Sequence, residues 1–268
     1  EAGTQGWVEI SNLSSVSGVV IADAIRFGFG MGSIRRTSAN SLSGYPRDEE
    51  CQRYWAQSEL STHAVGFSST IWDSSDTDEN DNVSAGLRWS AEMNAINFNN
   101  DRWRRVYLEF HTNAASGSAK GTVALYNTEP GTYTTNQVAF ATLLGEKIEA
   151  DMLALDDGFE YSWGVRNPNT YHASFSYGAI NALRNNNQFD ATLLEVAFHD
   201  NAEDAANLRS ARVRDAVARS STQALVSFLS NASLFPGTQV PAVYLPDPPE
   251  RLRATHDGNG NIVLSWVP

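Results

Sequence analysis

Cysteine is nearly absent. Cys51 stands alone among 268 residues, which excludes a disulfide framework and any metal site built from thiolates. Basic residues are also scarce. Nineteen Lys and Arg against 31 Asp and Glu leave a formal charge of −12. That balance excludes nucleic acid, whose phosphates need basic partners. It equally excludes docking by charge on an anionic polymer, so affinity for a glycan has to come from aromatics and hydrogen bonds. No apolar run approaches the roughly 20 residues of a membrane span. No signal peptide is present, and the chain opens on Glu-Ala-Gly rather than Met. It reads as a fragment or a processed product, so the missing targeting signal says little.

What is present is an ordinary apolar share, 41% of the residues, enough for a sizeable core and for one large domain or somewhat more. Val106-Tyr-Leu-Glu-Phe-His111-Thr-Asn-Ala114 reads as a short apolar strand that stops at a histidine. Ligands in α/β sheets sit at the carboxyl ends of strands. A neutral imidazole there is available for metal or proton work. The plainer alternative is a partly buried histidine bonded to backbone. Thr192-Leu-Leu-Glu195-Val-Ala-Phe198 is a second apolar strand, with a carboxylate in its middle. A charge inside a buried strand is costly unless it is paired or metal-bound. His199-Asp200-Asn201 and a helical stretch from Ala202 to Arg209 follow. The two strands together predict convergence of His111 and Glu195 on one cleft, around a zinc-bound water.

The paired motifs "EFHTNA" and "LLEVAFHDNAEDAANLRS" resemble the zinc-dependent N-acetylmuramoyl-L-alanine amidases, from about Gly30 to about Ser230. That family carries a strand ending in S-x-H-x-N and a later E-x-G-F strand followed by S-N. Glu109 stands here where serine is usual, and Ala197 where glycine is usual. The resemblance implies an α/β fold of the amidase/phosphorylase-like type, a mainly parallel sheet flanked by helices, with short β pieces at both ends. It implies zinc as cofactor, with His111 a metal ligand and Glu195 the catalytic acid/base. Asn113 and Asn201 are implied to bind substrate. The family's other two ligands, a G-H-G histidine and a helix glutamate, are expected upstream of residue 1. The chain by itself is then expected to bind zinc weakly or not at all.

Residues 1–29 alternate as two strands and resemble the end of a golvesin-like carbohydrate-binding β-sandwich. Residues 30–234 form the later part of the catalytic domain. Within them a helix is predicted over 47–58, with Tyr54 and Trp55 on its apolar face. The acidic cluster Asp73 to Asp81 reads as a solvated loop or a calcium loop. Helices are predicted over 83–97, 136–155 and 213–229, with Arg88 read mainly as structural. A strand is predicted over 122–126. Residues 158–188 read as a long loop with exposed aromatics, among them Trp163, Tyr171, Phe175 and Tyr177, suited to sugar stacking. His172 in that loop is read as solvated or supporting. Residues 235–248 read as a proline-rich linker. Residues 249–268 resemble the first two strands of a fibronectin type III domain, with Asp257-Gly-Asn-Gly as the hairpin turn.

Two functions follow from this reading. The first is a secreted or envelope-associated bacterial hydrolase that cuts the amide between N-acetylmuramic acid and L-alanine of peptidoglycan. The second is a non-catalytic wall- or carbohydrate-binding protein that keeps the fold. Retention of both His111 and Glu195 favours the enzyme. Nothing in the sequence sets an oligomeric state.

Overall fold

The computed structural model describes residues 51–63, 66–75, 77–98, 105–165, 171–174, 176–244 and 250–267. The expected β-sandwich tail, the acidic residues 48–50 and Phe175 lie outside them. The described elements are helices α1 (Gln52–His63) and α2 (Asp78–Phe98), strands β1 (Val106–Asn113) and β2 (Val123–Asn127), α3 (Gln137–Ala154), β3 (Tyr171–Ser174), β4 (Asp190–Phe198), α4 (Ala202–Arg209) and α5 (Ala211–Ser230). Two further strands, β5 (Glu250–His256) and β6 (Ile262–Val267), make a separate antiparallel pair.

The main sheet has the order β1-β4-β2-β3. β1 and β4 are parallel, as are β2 and β3, while β2 meets β4 antiparallel. The sheet is thus α/β and mainly parallel, with one reversal at its centre. Both faces are covered, which is why β4 reads as a nearly unbroken apolar run rather than an alternating one. Successive side chains still leave opposite faces. Leu194 and Ala124 join Leu144, Ile148, Met152, Val213 and Val217 from α3 and α5. Leu193, Val123 and Leu125 join Leu87 and Ala91 from α2, with Ile180 and Phe189. α1 adds a small third cluster, with Ala56 and Leu60 on Ile71 and Trp72.

Two buried polar side chains tie the core elements together. Gln137 is fully buried; its Nε2 donates to the carbonyls of Ile180 and Ala191, and its Oε1 accepts from Asn127 N–H at 2.8 Å. These bonds tie the start of α3 to β2 and β4. Asp204 is likewise fully buried, and its Oδ2 accepts 2.9 Å bonds from the N–H groups of Phe198 and Gly121.

Several sequence expectations are corrected. The described helix over the 47–58 region is Gln52–His63, starting later and running further. Trp55 is 43% exposed, though its ring lies 4.3 Å from that of Trp89. The acidic cluster is not simply solvated: Asp81 is buried, lies 3.5 Å from the buried Arg53, and accepts the N–H groups of Ser74 and Ser75. A buried guanidinium draws carboxylates inward because an unpaired buried charge is costly. In α3, which the sequence predicts over 136–155, Leu144, Ile148 and Met152 are buried while Val138 is 42% exposed. Trp163 is buried in the α3–α5 core rather than offered to a sugar, and Tyr171 and Tyr177 are half-buried.

Candidate active site

β1 does not stop at its histidine; it continues to Asn113 past an irregularity between His111 and Asn113. His111 pairs with Glu195 across the parallel β1–β4 ladder. Directly paired residues project from the same sheet face, so the two side chains share one side. It is the face that α2 covers lower down: Tyr107, Glu109 and His111 alternate along β1 beside Ala191, Leu193 and Glu195. Where the helical cover ends, the apolar row gives way to titratable groups.

Glu109 binds three neighbours. His111 Nε2–H donates to its Oε1 at 3.0 Å, and Gln52 Nε2 from α1 donates to the same oxygen at 3.4 Å. Tyr107 O–H donates to Oε2 at 3.2 Å. The His111–Glu109 bond raises the histidine's affinity for a proton, against the effect of burial; the charges of Glu109 and Glu195 add to the rise. The phenol of Tyr107 is pushed well up by burial and by Glu109. Glu195 is half-buried, and its Oε2 has no hydrogen-bond partner among the described residues. Burial raises its pKa because desolvation favours the neutral acid. His111 and His199 oppose that rise, and Glu109 adds to it.

The other residues singled out in the sequence have distinct places. Asn113 Oδ1 accepts from Ala114 N–H, and its carbonyl accepts from His199 N–H at 2.9 Å. Asn201 is the N-cap of α4: its Oδ1 accepts from the N–H groups of Glu203 and Asp204, and its Nδ2 donates to the Gly117 carbonyl. Both ends of that amide are engaged within the chain. His199 lies exposed beside Thr112, whose Oγ1 shares a 3.0 Å hydrogen bond with Nδ1. Arg88 bonds Ser84 Oγ on its own helix. The side chains of His63 and His172 lie outside the described residues.

Glu109 and His199 therefore lie beside His111 and Glu195, although neither is among the site residues that the sequence predicts. The i, i+2 spacing of Glu109 and His111 on a strand was the available signal for Glu109. His199 had no such signal, since only the β4–β1 register brings it to Asn113.

The family model for N-acetylmuramoyl-L-alanine amidase matches residues 75–227, more than half of the 268-residue chain. This chain belongs to the N-acetylmuramoyl-L-alanine amidase family. The amidase carries His111 and Glu195 inside the matched region, and its class is that of the peptidoglycan amidases. Among solved structures it is similar to the apo form of the N-acetylmuramyl-L-alanine amidase Ami1 from Mycobacterium abscessus, at 17% identity over 74% of this chain and 82% of that one, TM-score 0.40. It is also similar to an N-acetylmuramoyl-L-alanine amidase from Clostridium difficile 630, at 18% identity over 67% and 81%, TM-score 0.40. The catalytic domain of CwlV from Bacillus (Paenibacillus) polymyxa var. colistinus is 17% identical over 66% and 80%, TM-score 0.36. No curated protein matches the amidase. Family membership rests on the family match, not on these distant structural likenesses.

Proposed function

We propose that the amidase hydrolyses the amide between the lactyl group of N-acetylmuramic acid and the L-alanine of the stem peptide, with zinc as cofactor. The observation that carries this reading is the His111–Glu195 pairing at the open end of one sheet face. Among the described residues no group of three His, Cys, Asp or Glu could hold a metal ion. Those present still suit part of such a site: His111 offers an imidazole, and the buried Glu195 Oε2 has no hydrogen-bond partner among the described residues. His111 is the proposed ligand, and the remaining ligands would come from outside the described residues. Bound zinc would polarise the scissile carbonyl and lower the pKa of water.

Glu195 takes a proton from the attacking water and delivers it to the departing alanine nitrogen. A carboxylate with raised proton affinity suits both halves of that transfer. Asn113 is the better placed of the two proposed substrate-binding asparagines. Its Nδ2 has no acceptor among the described residues, whereas binding through Asn201 would cost its cap bonds. A wall-binding protein without catalysis has no chemical use for an unpartnered carboxylate in a half-buried strand position, which favours the enzyme.

The β5–β6 hairpin around Asp257-Gly-Asn-Gly supports reading residues 249–268 as the start of a fibronectin type III domain. Residues 1–29 are proposed as golvesin-like strands, 30–234 as the catalytic part and 235–248 as the linker. The proposed location is secreted or envelope-associated, where peptidoglycan lies; among the described residues no helix is long and apolar enough to cross a membrane. The test is release of stem peptides from purified peptidoglycan, with and without a chelator. Chelator-sensitive release that E195Q abolishes supports the reading. Chelator-insensitive release excludes zinc, and no release by the zinc-supplemented protein leaves wall binding.

A further inference from the structure

Of the loop aromatics that the sequence offers for sugar stacking, Trp163 is buried, and Tyr171 and Tyr177 are half-buried. An exposed indole stands elsewhere, on α1. We propose that Trp55 is the stacking platform of a glycan subsite, holding an uncharged N-acetylated sugar ring of the peptidoglycan strand beside the cleft; the inference rests on the peptidoglycan reading above.

The first support is the ring itself. Trp55 is 43% exposed, and Trp89 of α2 braces it at 4.3 Å between ring centroids, with the planes tilted by 44°. Trp89 in turn packs on the cluster of Ala56, Leu60, Ile71 and Trp72. A loose surface side chain loses rotamer freedom when it binds; a ring already packed on a second ring has little left to lose. Indole combines a broad apolar face with a polar N–H at its rim. A sugar ring has the same division, with C–H groups on its face and hydroxyls at its edge.

The second support is position. Gln52 lies three residues before Trp55, about one turn earlier on α1. Its Nε2 donates to the Asn82 carbonyl at 2.7 Å and to Glu109 Oε1 at 3.4 Å, and that oxygen is bonded to His111. Gly86 permits the close approach of α1 and α2 here, since a Cβ at that position would collide with Gln52 Oε1 and the Tyr107 hydroxyl. The start of α1 is thereby fastened to the cleft, and Trp55 follows one turn on. Phe110 is also exposed and adjoins His111 in the chain. It leaves the opposite face of β1, away from Glu109 and His111.

The third support is charge. Glu59 lies four residues after Trp55, and Glu92 three after Trp89, spacings that put each acid on its tryptophan's side of the helix. With a formal charge of −12 on the whole chain, an anionic partner is disfavoured at the indole. In the uncut glycan strand each substituted lactyl carboxyl is tied up in its amide, so the sugar ring there is neutral. Carboxylates beside the platform can accept hydrogen bonds from its hydroxyls.

Fluorine NMR tests the assignment without zinc or turnover. The seven tryptophans are labelled as fluorotryptophan, and W55F identifies the Trp55 resonance. Titration with a soluble N-acetylglucosamine oligosaccharide, a neutral stand-in for the glycan, is expected to shift that resonance. W55A is expected to bind the oligosaccharide roughly tenfold more weakly, as for loss of an aromatic anchor, and W55Y to keep most of the affinity. Thermal melts check that each variant is folded; should W55A not fold, the wild-type titration still decides. A Trp55 resonance that stays still throughout the titration, or folded W55A that binds as wild type does, overturns the assignment. A resonance that moves with protein concentration alone marks a contact between copies and also overturns it. Stem-peptide release with an unmoved Trp55 resonance defeats this inference alone. A shifted resonance without release supports the platform and defeats the hydrolase reading alone.

Discussion

At the scale of single residues, Glu195 and Asp204 show two uses of a half-hidden or hidden carboxylate. Glu195 keeps an oxygen without a partner among the described residues, and the proposed proton transfer depends on it. E195Q is expected to lower kcat by roughly 10²–10⁴-fold with KM little changed, measured as stem-peptide release at saturating peptidoglycan. Asp204 also has an oxygen, Oδ1, without a partner among the described residues, but its Oδ2 satisfies two buried N–H groups, an internal use. D204A strands both, and urea unfolding should show a loss of roughly 2–4 kcal/mol. The sequence made Glu195 visible because a charge interrupts an apolar run. Asp204 was invisible: it sits among Ala and Glu in a helical stretch, and nothing local says that its Oδ2 reaches back to the N–H groups of Phe198 and Gly121. Glu109 was seen only as a departure from the motif's serine, because spacing alone does not say that its carboxylate turns toward the neighbouring imidazole.

At the scale of elements, boundaries set by capping were harder to read than cores set by periodicity. α3 and α5 were legible from their apolar spacing, and β4 from its length and bounds. β1 was read two residues short, because polar Thr112 and Asn113 look like loop yet continue the ladder beside Phe198. Trp163 was misread because an aromatic among Asn, Tyr and Ser looks exposed, whereas the turn after α3 folds it back onto the α3–α5 core. Asn201 was read through its motif as a substrate group, and the structure gives it a helix to begin. N201A is expected to cost about 1 kcal/mol, the ordinary loss of an N-cap. Differential scanning calorimetry of the variant checks it, and an unchanged midpoint would mean that Asn201 is not needed to start α4.

At the scale of the whole molecule, the titration of the buried acids has one direction. Asp190, Glu195 and Asp204 are all raised in the fold by burial, and His111 is raised chiefly by its bond to Glu109. A group with a raised folded pKa holds more protons folded than unfolded across the interval between its two pKa values. Stability there falls as pH rises. The exposed Asp257 is lowered by its turn bonds and acts in the opposite sense. The net expectation for the metal-free protein is a melting midpoint that rises as pH is lowered from neutral into the mildly acidic range. Folding should take up protons there, as calorimetry in buffers of different ionisation heat will show; proton release instead would contradict the burial of these acids. The central reversal of the sheet was not legible, since apolar runs do not encode direction, and the strand order comes from how α3 packs. One more property belongs to the molecule as a whole. Asp200 Oδ2 accepts the N–H groups of Ala115 and Gly117, while Asn201 Nδ2 holds the Gly117 carbonyl. The segments leaving the two reactive strands are thereby stitched into a single fixed jaw. In the proposed reaction, clamping on a glycan strand then has to come from whatever faces that jaw, with His111 and Glu195 held in one strand register.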